Sequence, residues 1–171
     1  MAITGMTFDN QVPTAKGFRG TFMSALTDGI ISGCEISYSG LAVTIGQGLI
    51  NLAGGVFQIS GSETVNLANS GAYARIKTKI DLSEAATVST FNQVSIIADY
   101  ANSANGFSSL VQEDINTGTG VIYESELCVV SISNGVINGI VRTAKSSSKI
   151  QYGDTLPEDA PEGTIFLLKV T

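Results

Sequence analysis

The feature that most constrains this chain is a change in hydrophobic period near residue 30, from four to two. Upstream, Phe18, Phe22 and Leu26 recur every fourth residue, which puts them on one face of a helix. Thr14 is placed to cap its N-terminus and Gly29 lies where it would stop. Gly17 and Gly20 weaken such a helix by roughly 1 kcal/mol each relative to Ala, so it needs a partner surface. Two partners are open: the chain's own core, or copies of the chain about a symmetry axis. Downstream, Cys34, Ile36 and Tyr38 alternate with polar residues, and Leu41, Val43 and Ile45 do so after a turn at Ser39-Gly40. Short runs at 48–52, 56–59 and 64–67 follow, punctuated by glycines, with Gly54-Gly55 as a two-residue hairpin signal. Short strands between glycine turns pair antiparallel.

Longer strands come next. Over 75–82, Ile76, Thr78, Ile80 and Leu82 share one face while Arg75, Lys77, Lys79 and Asp81 share the other, the pattern of a sheet with one dry and one wet face. In 91–100, Val94, Ile96, Ala98 and Tyr100 share a face. Residues 108–116 read as a short helix, with Ser108 or Ser109 as cap, Glu113 and Asp114 early in it and Gly118 and Gly120 ending it. Strands at 121–133 and 135–143 are joined by Asn134-Gly135, the strongest hairpin signal in the chain, and Asn138-Gly139 is read as a bulge or a turn. Glu124 and Glu126 share a strand face, as do Arg75, Lys77 and Lys79. Opposite charges across a ladder attract, so these two strands are expected to be neighbours. A polar connector, 144–163, carries Pro157 and Pro161. It leads to a final apolar strand with Ile165, Phe166, Leu167 and Leu168, which needs cover on both faces.

The expected fold is therefore mainly β: an antiparallel β-sandwich or barrel-like module, or modules, with an N-terminal helix and one short helix. Its divisions are an arm and helix at 1–29, an antiparallel β domain at 30–150, and a connector and terminal strand at 151–171. The β domain reads as one unit or as two small modules, 30–70 and 71–150.

Composition narrows the function classes. Of 171 residues, 43% are hydrophobic and only 14% charged. That apolar fraction makes a core, and the low charge suits a subunit packed against neighbours. Nine basic residues against fifteen acidic, with no Lys/Arg run, argue against nucleic acid, whose phosphates need clustered cations. No apolar stretch approaches the ~20 residues of a membrane span, and the N-terminus lacks the basic and long apolar regions of a signal peptide. Synthesis and folding in a cytoplasm are expected. Cys34 and Cys128 read as buried free thiols, with a disulfide as the minority reading.

There is no histidine, which removes the imidazole-based nucleophilic mechanisms and most zinc sites. Gly46-Gln47-Gly48 lacks the third glycine and the helix of a dinucleotide motif, and no EF-hand loop occurs. Glu35, Glu63, Asp99, Glu113, Asp114, Glu124 and Glu126 are candidate acids by residue type alone. A glycosidase needs two in a groove, and such grooves are usually lined by aromatic rings. This chain has no Trp and 7% aromatic residues, so neither an enzyme nor a cofactor is expected.

Several segments resemble tail and baseplate proteins of phages of Gram-positive bacteria. Asp28-Gly29-Ile30-Ile31-Ser32-Gly33-Cys34-Glu35-Ile36 resembles the DGxxSGCEV segment that opens a β module in them. Leu41-Ala42-Val43-Thr44-Ile45-Gly46-Gln47-Gly48 is similar to their LTVTIAPG strand and turn, and Gly54-Gly55-Val56-Phe57-Gln58-Ile59 to a VNGRVIRI hairpin. Ser109-Leu110-Val111-Gln112-Glu113-Asp114-Ile115-Asn116 resembles a recurrent LTQEDIN segment. Tyr152-Gly153-Asp154-Thr155-Leu156-Pro157 with Glu162-Gly163-Thr164-Ile165-Phe166 resembles a YGTTLP…EGxIFF ending. The matches span most of 28–170. The resemblance implies a virion protein: an adaptor or fibre-base subunit of a baseplate, in symmetric copies such as a homotrimer, docked on other tail proteins. The expected interface is Phe18, Phe22, Leu26, Ile165, Phe166, Leu167 and Leu168. No carbohydrate-binding head is recognisable. The alternative is a module for host cell-surface glycan, using Tyr38, Tyr73, Tyr100, Tyr123 and Tyr152 as stacking rings where two or more stand exposed side by side.

Overall fold

A computed structural model describes residues 14–87 and 91–147, and the backbone of 150–153 and 165–168. The arm at 1–13 and most of the connector lie outside the described residues, as do the side chains of Tyr152 and Ile165–Leu168.

Helix α1 spans Ala15–Ala25, and Thr14 caps it through Oγ1, which accepts from the Gly17 N–H at 3.0 Å. It stops at Leu26, before Gly29. Gly29 instead opens strand β1 (Gly29–Gly33) with φ 146°, where a Cβ would lie 2.1 Å from the Lys145 carbonyl oxygen. Strands β2 (Ile36–Ser39), β3 (Ala42–Ile45), β4 (Gly48–Leu52), β5 (Gly55–Ile59) and β6 (Glu63–Asn66) follow. They form two three-stranded antiparallel sheets, β1-β4-β5 and β2-β3-β6.

The tight turns sit one residue away from the expected dipeptides. Ser39 pairs with Ala42, so Gly40-Leu41 is the turn. Leu52 pairs with Gly55, so Ala53-Gly54 is the turn, with both φ positive at 48° and 77°, the type I′ geometry that matches strand twist. Gly54 is required twice over, because a Cβ there would also lie 1.9 Å from the Arg19 carbonyl oxygen of α1.

Strands β7 (Tyr73–Asp81), β8 (Val94–Ala101), β9 (Ile122–Ser133) and β10 (Val136–Arg142) form an antiparallel sheet ordered β10-β9-β7-β8. Asn134-Gly135 makes the β9–β10 turn as expected, and the register shift beside Asn138 is a bulge. The expected neighbour relation of the charged strands holds: Lys77 pairs with Glu126 and Lys79 with Glu124. A second bulge at Leu127 lets Leu127 and Cys128 both bury.

One cluster unites the three sheets. Ile30, Cys34, Val43, Ile45 and Ile50 from the first half pack with Ala74, Ile76, Leu127, Cys128 and Val130 from the second. This is sandwich-like layering with a shared core. Both cysteines are free and buried in it. Strands β11 (Ile150–Gly153) and β12 (Ile165–Leu168) pair parallel, in contrast to the antiparallel sheets before them.

The short helix expected at 108–116 does not form. The segment runs as bends and isolated pairing along the start of β9: Glu124 N–H donates to the Val111 carbonyl at 2.8 Å and Glu113 N–H to that of Ile122 at 3.1 Å. Its acids explain the outcome. Glu113 Oε2 accepts from the Val121 and Ile122 N–H groups, and Asp114 Oδ1 from those of Asn116 and Thr117. Side chains that bond nearby backbone in this way compete with a helix.

Candidate functional site

Two surfaces carry unusual chemistry. The first is the charged face of the β7–β9 sheet, which the sequence marks as wet. It is largely covered: Arg75 is 5% exposed, Lys77 7% and Glu124 5%. The chain between β8 and β9 folds over it. Phe107 lies against the Arg75 guanidinium, 5.0 Å from ring centroid to Cζ, within cation–π range. The Ser108 carbonyl accepts from Arg75 Nη2 at 2.9 Å, and Glu124 Oε2 accepts from the Val111 N–H at 3.0 Å.

Beneath this cover the charges are paired. Arg75 Nη2 meets Asp99 Oδ2 at 2.7 Å, and Lys77 Nζ meets Asp99 Oδ2 at 2.9 Å and Glu124 Oε1 at 2.8 Å. Glu126 lies 3.9 Å from Arg75 Nε, which has no hydrogen-bond partner among the described residues. Burial raises the proton affinity of Asp99, but hydrogen bonds from Arg75 and Lys77 outweigh it and hold the carboxyl below its ordinary value. Two cations and three carboxylates leave the cluster with one surplus negative charge.

Beside the cluster an open cleft of about 730 Å³ runs along the same face, between Phe107 on one side and β10 on the other. Among its described lining residues Glu126 is the only carboxylate, whereas a glycosidase needs two flanking the bond. Glu113 and Asp114 are both held more acidic than usual by the hydrogen bonds they accept, Glu113 from backbone N–H groups and Asp114 from the Thr117 hydroxyl and backbone N–H groups. A general acid is shifted the other way. Among the described residues no three His, Cys, Asp or Glu side chains are grouped to hold a metal ion.

The second surface lies beside α1. None of its residues is buried, and Phe18 is 50% and Phe22 42% exposed. They line one groove of about 360 Å³ with Val56, Phe57, Leu82 and Phe91, whereas Leu26 is half-buried outside it. The helix is fixed by polar contacts. Arg19 Nε donates to Asn116 Oδ1 at 3.1 Å, Arg19 Nη2 to the Ile115 carbonyl at 3.3 Å, and Lys16 Nζ to the Gly118 carbonyl at 3.3 Å. Asn116 Nδ2 in turn donates to the Ala53 carbonyl at 2.9 Å.

Phe18 and Phe22 thus come together in the groove. The backbone of the expected interface strand Ile165, Phe166, Leu167 and Leu168 pairs with Ile150–Gly153 within the chain. Phe91 and Val56 were not singled out by sequence, because they reach the groove from distant parts of the chain, Val56 from β5 and Phe91 from the segment before β8. Asp99 was singled out only as a candidate acid, and its position opposite Arg75 follows from sheet order. The described tyrosines are scattered. Tyr73 and Tyr100 project from opposite faces of neighbouring strands, the hydroxyl of half-buried Tyr123 donates to Asp28 Oδ2 at 2.8 Å, and Tyr38 stands in another sheet. No helix among the described residues is long and apolar enough to cross a membrane. No protein-family model matches this chain, and no curated protein matches its sequence.

Proposed function

We propose that this chain is a non-enzymatic structural subunit of a phage tail or phage-like particle, an adaptor of the baseplate or fibre base that assembles with copies of itself and with other tail proteins. One observation carries the assembly reading: the apolar groove beside α1, with Phe18, Phe22, Val56 and Phe91 exposed around it. Contiguous exposed apolar surface marks an interaction site. The occupant favoured is a second copy of the chain. A net charge of −6 makes identical subunits repel, and contact through this largely uncharged patch adds no local like-charge pair to that repulsion. Among its described lining residues Arg19 alone is charged, and its guanidinium is turned to Asn116 and Ile115. The tail location rests on the motif series along 28–170, and the non-enzymatic reading on Glu126 being the one carboxylate among the described residues of the cleft.

Light scattering coupled to size exclusion tests the assembly. The intact chain is expected to run as a symmetric oligomer, and the pair Phe18→Ser with Phe22→Ser as a folded monomer. A wild-type chain that stays monomeric at high concentration refutes self-assembly. Mass spectrometry of tail particles sedimented from the producing culture tests the location. Release of sugar or peptide from purified cell wall by the chain alone refutes the non-enzymatic reading.

A further inference from the structure

We infer that the gap between β5 and β8 is a docking groove for the N-terminal arm of the same chain, residues 1–13, added there as a strand. This goes beyond the assembly reading and leaves Phe18 and Phe22 to the second copy. β5 and β8 are edge strands of two different sheets, and together they line an open gap of about 550 Å³. The ladder pattern gives the direction of their backbone groups. Leu52 and Gly55 close a two-residue turn and form a hydrogen-bonded pair, as do Ile50 and Phe57 two residues on. The N–H and C=O groups of Val56 and Gln58 between and beyond them therefore point away from β4. On the other side, the Asp81 N–H donates to the Gln93 carbonyl at 2.9 Å. Alternation from that pair turns the backbone groups of Val94 and Ile96 away from β7. Val56, Gln58, Val94 and Ile96 all line the gap. Two rows of outward backbone donors and acceptors thus border one space.

Neither row is defended. An exposed edge is normally blunted by a charge, a proline or a bulge. The stretches Gly55–Ile59 and Val94–Ile96 carry no charged residue and no proline, and the β4–β5 pairing runs without a bulge. Such an edge accepts an extended segment whose alternate side chains face the apolar wall. The arm has that pattern. Met6, Phe8 and Val12 fall on one side of an extended chain, and Gly5, Thr7, Asp9 and Gln11 on the other. Pro13 biases Val12 before it toward an extended backbone. The point of attachment selects the chain's own arm. Ala15, at the start of α1, lines the helix groove together with Val56, Phe57, Phe91 and Val94, and the last four line the gap as well. The chain before Thr14 therefore joins α1 beside a continuous trough. Thirteen residues reach up to roughly 40 Å, whereas the five residues of β5 span about 17 Å. The arm is long enough to cross to the gap and lie along it.

Amide hydrogen exchange of the full chain, read residue by residue by nuclear magnetic resonance, provides the first test. The N–H groups of Val56 and Ile96 are expected to exchange at least about tenfold faster when Met6→Asp and Phe8→Asp are combined than in the wild type. Thr7→Asp, on the outward side of the strand, should leave them slow. A nitroxide attached through Thr7→Cys provides the second test and does not depend on the double variant. It is expected to broaden the Val56 and Ile96 resonances, and to do so undiminished when the tagged, isotope-labelled chain is diluted with excess untagged, unlabelled chain. Equal exchange in the wild type and the double variant overturns the inference, as does an absence of broadening at both residues. Broadening that disappears on dilution assigns the arm to a neighbouring copy and overturns it too. A wild-type chain that is monomeric yet shows the protection and the broadening supports it while refuting self-assembly.

Discussion

Lys77→Met tests whether the buried charge cluster supports the fold. Lys77 is 7% exposed and its ammonium bridges Asp99 at 2.9 Å and Glu124 at 2.8 Å. Methionine keeps the stem's volume and removes the charge. The consequences for the two carboxylates differ. Asp99 retains Arg75 at 2.7 Å and has a side chain 32% exposed, so solvent screens part of its loss. Glu124 is 5% exposed and, among the described residues, its carboxylate keeps the Val111 N–H at 3.0 Å, with Lys79 opposite it across the ladder. Breaking a buried pair by removing one partner costs about 3–5 kcal/mol, because the remaining charge stays desolvated. With a urea slope of ~2 kcal/mol per M for a domain of this size, the unfolding midpoint falls by about 1.5–2.5 M.

The control is Lys77→Met combined with Glu124→Gln. The Gln side-chain carbonyl still accepts from Val111 and leaves no buried charge. Most of the lost stability should return, to within about 1–2 kcal/mol of wild type. A loss below about 1 kcal/mol for Lys77→Met alone places the pair in the range of solvated surface ion pairs. That result refutes the reasoning, because it means the chain over this face does not exclude water.

Other outcomes follow from single contacts. Both thiols should resist a disulfide reagent in the native state and react once urea unfolds the chain. Burial pushes the Cys128 thiol up to about 12 and raises that of Cys34 as well; rapid native labelling contradicts this. Asp81 is lowered from 3.8 to about 2 by hydrogen bonds from Lys79 and Ser83. Such a depressed group stabilises the fold fully above its unfolded value and loses the effect as pH falls through the folded value. Asp81→Asn should therefore flatten the stability profile between about pH 4 and 2, read from urea midpoints; an unchanged slope there refutes it. Gly54→Ala meets the Arg19 carbonyl and a φ of 77°. It should destabilise by more than about 1 kcal/mol, with hydrogen exchange in α1 accelerating most.

Much of the fold was legible in the sequence because several signals are local. Asn134-Gly135 can adopt two positive φ angles cheaply, and the chain uses them as a turn. The alternation of Arg75, Lys77 and Lys79 against Glu124 and Glu126 identified neighbouring strands, and the register sets Lys77 and Lys79 across from Glu126 and Glu124. What alternation cannot report is the solvent beyond a face. The cover over Arg75 comes from Phe107 and Ser108, which follow β8 and carry no period of their own. The missing helix at 108–116 has a related cause. Two serines before two acids suit a helix start, and the same acids can instead capture backbone N–H groups in turns. Pairing of Val111 and Glu113 with β9 decided between them, and that partner is set by sheet order.

The candidate interface shows the same division. The stripe of Phe18 and Phe22 was visible by spacing, but its direction was not, and burial does not set that direction either. An eleven-residue helix with two glycines has little stability by itself, and its phenylalanines remain half exposed. Its orientation is imposed by Arg19, whose guanidinium is held by Asn116 and the Ile115 carbonyl. That segment is in turn shaped by the Asp114 carboxylate, which binds the Asn116 and Thr117 N–H groups, and is anchored by Ile115, 3% exposed beside Leu52 and Ile80. The end of segment 108–116, where capping residues and early acids suggested a second helix, therefore holds the first helix in place. The apolar groove is presented by a polar clamp, so its exposure does not depend on failed packing against the core.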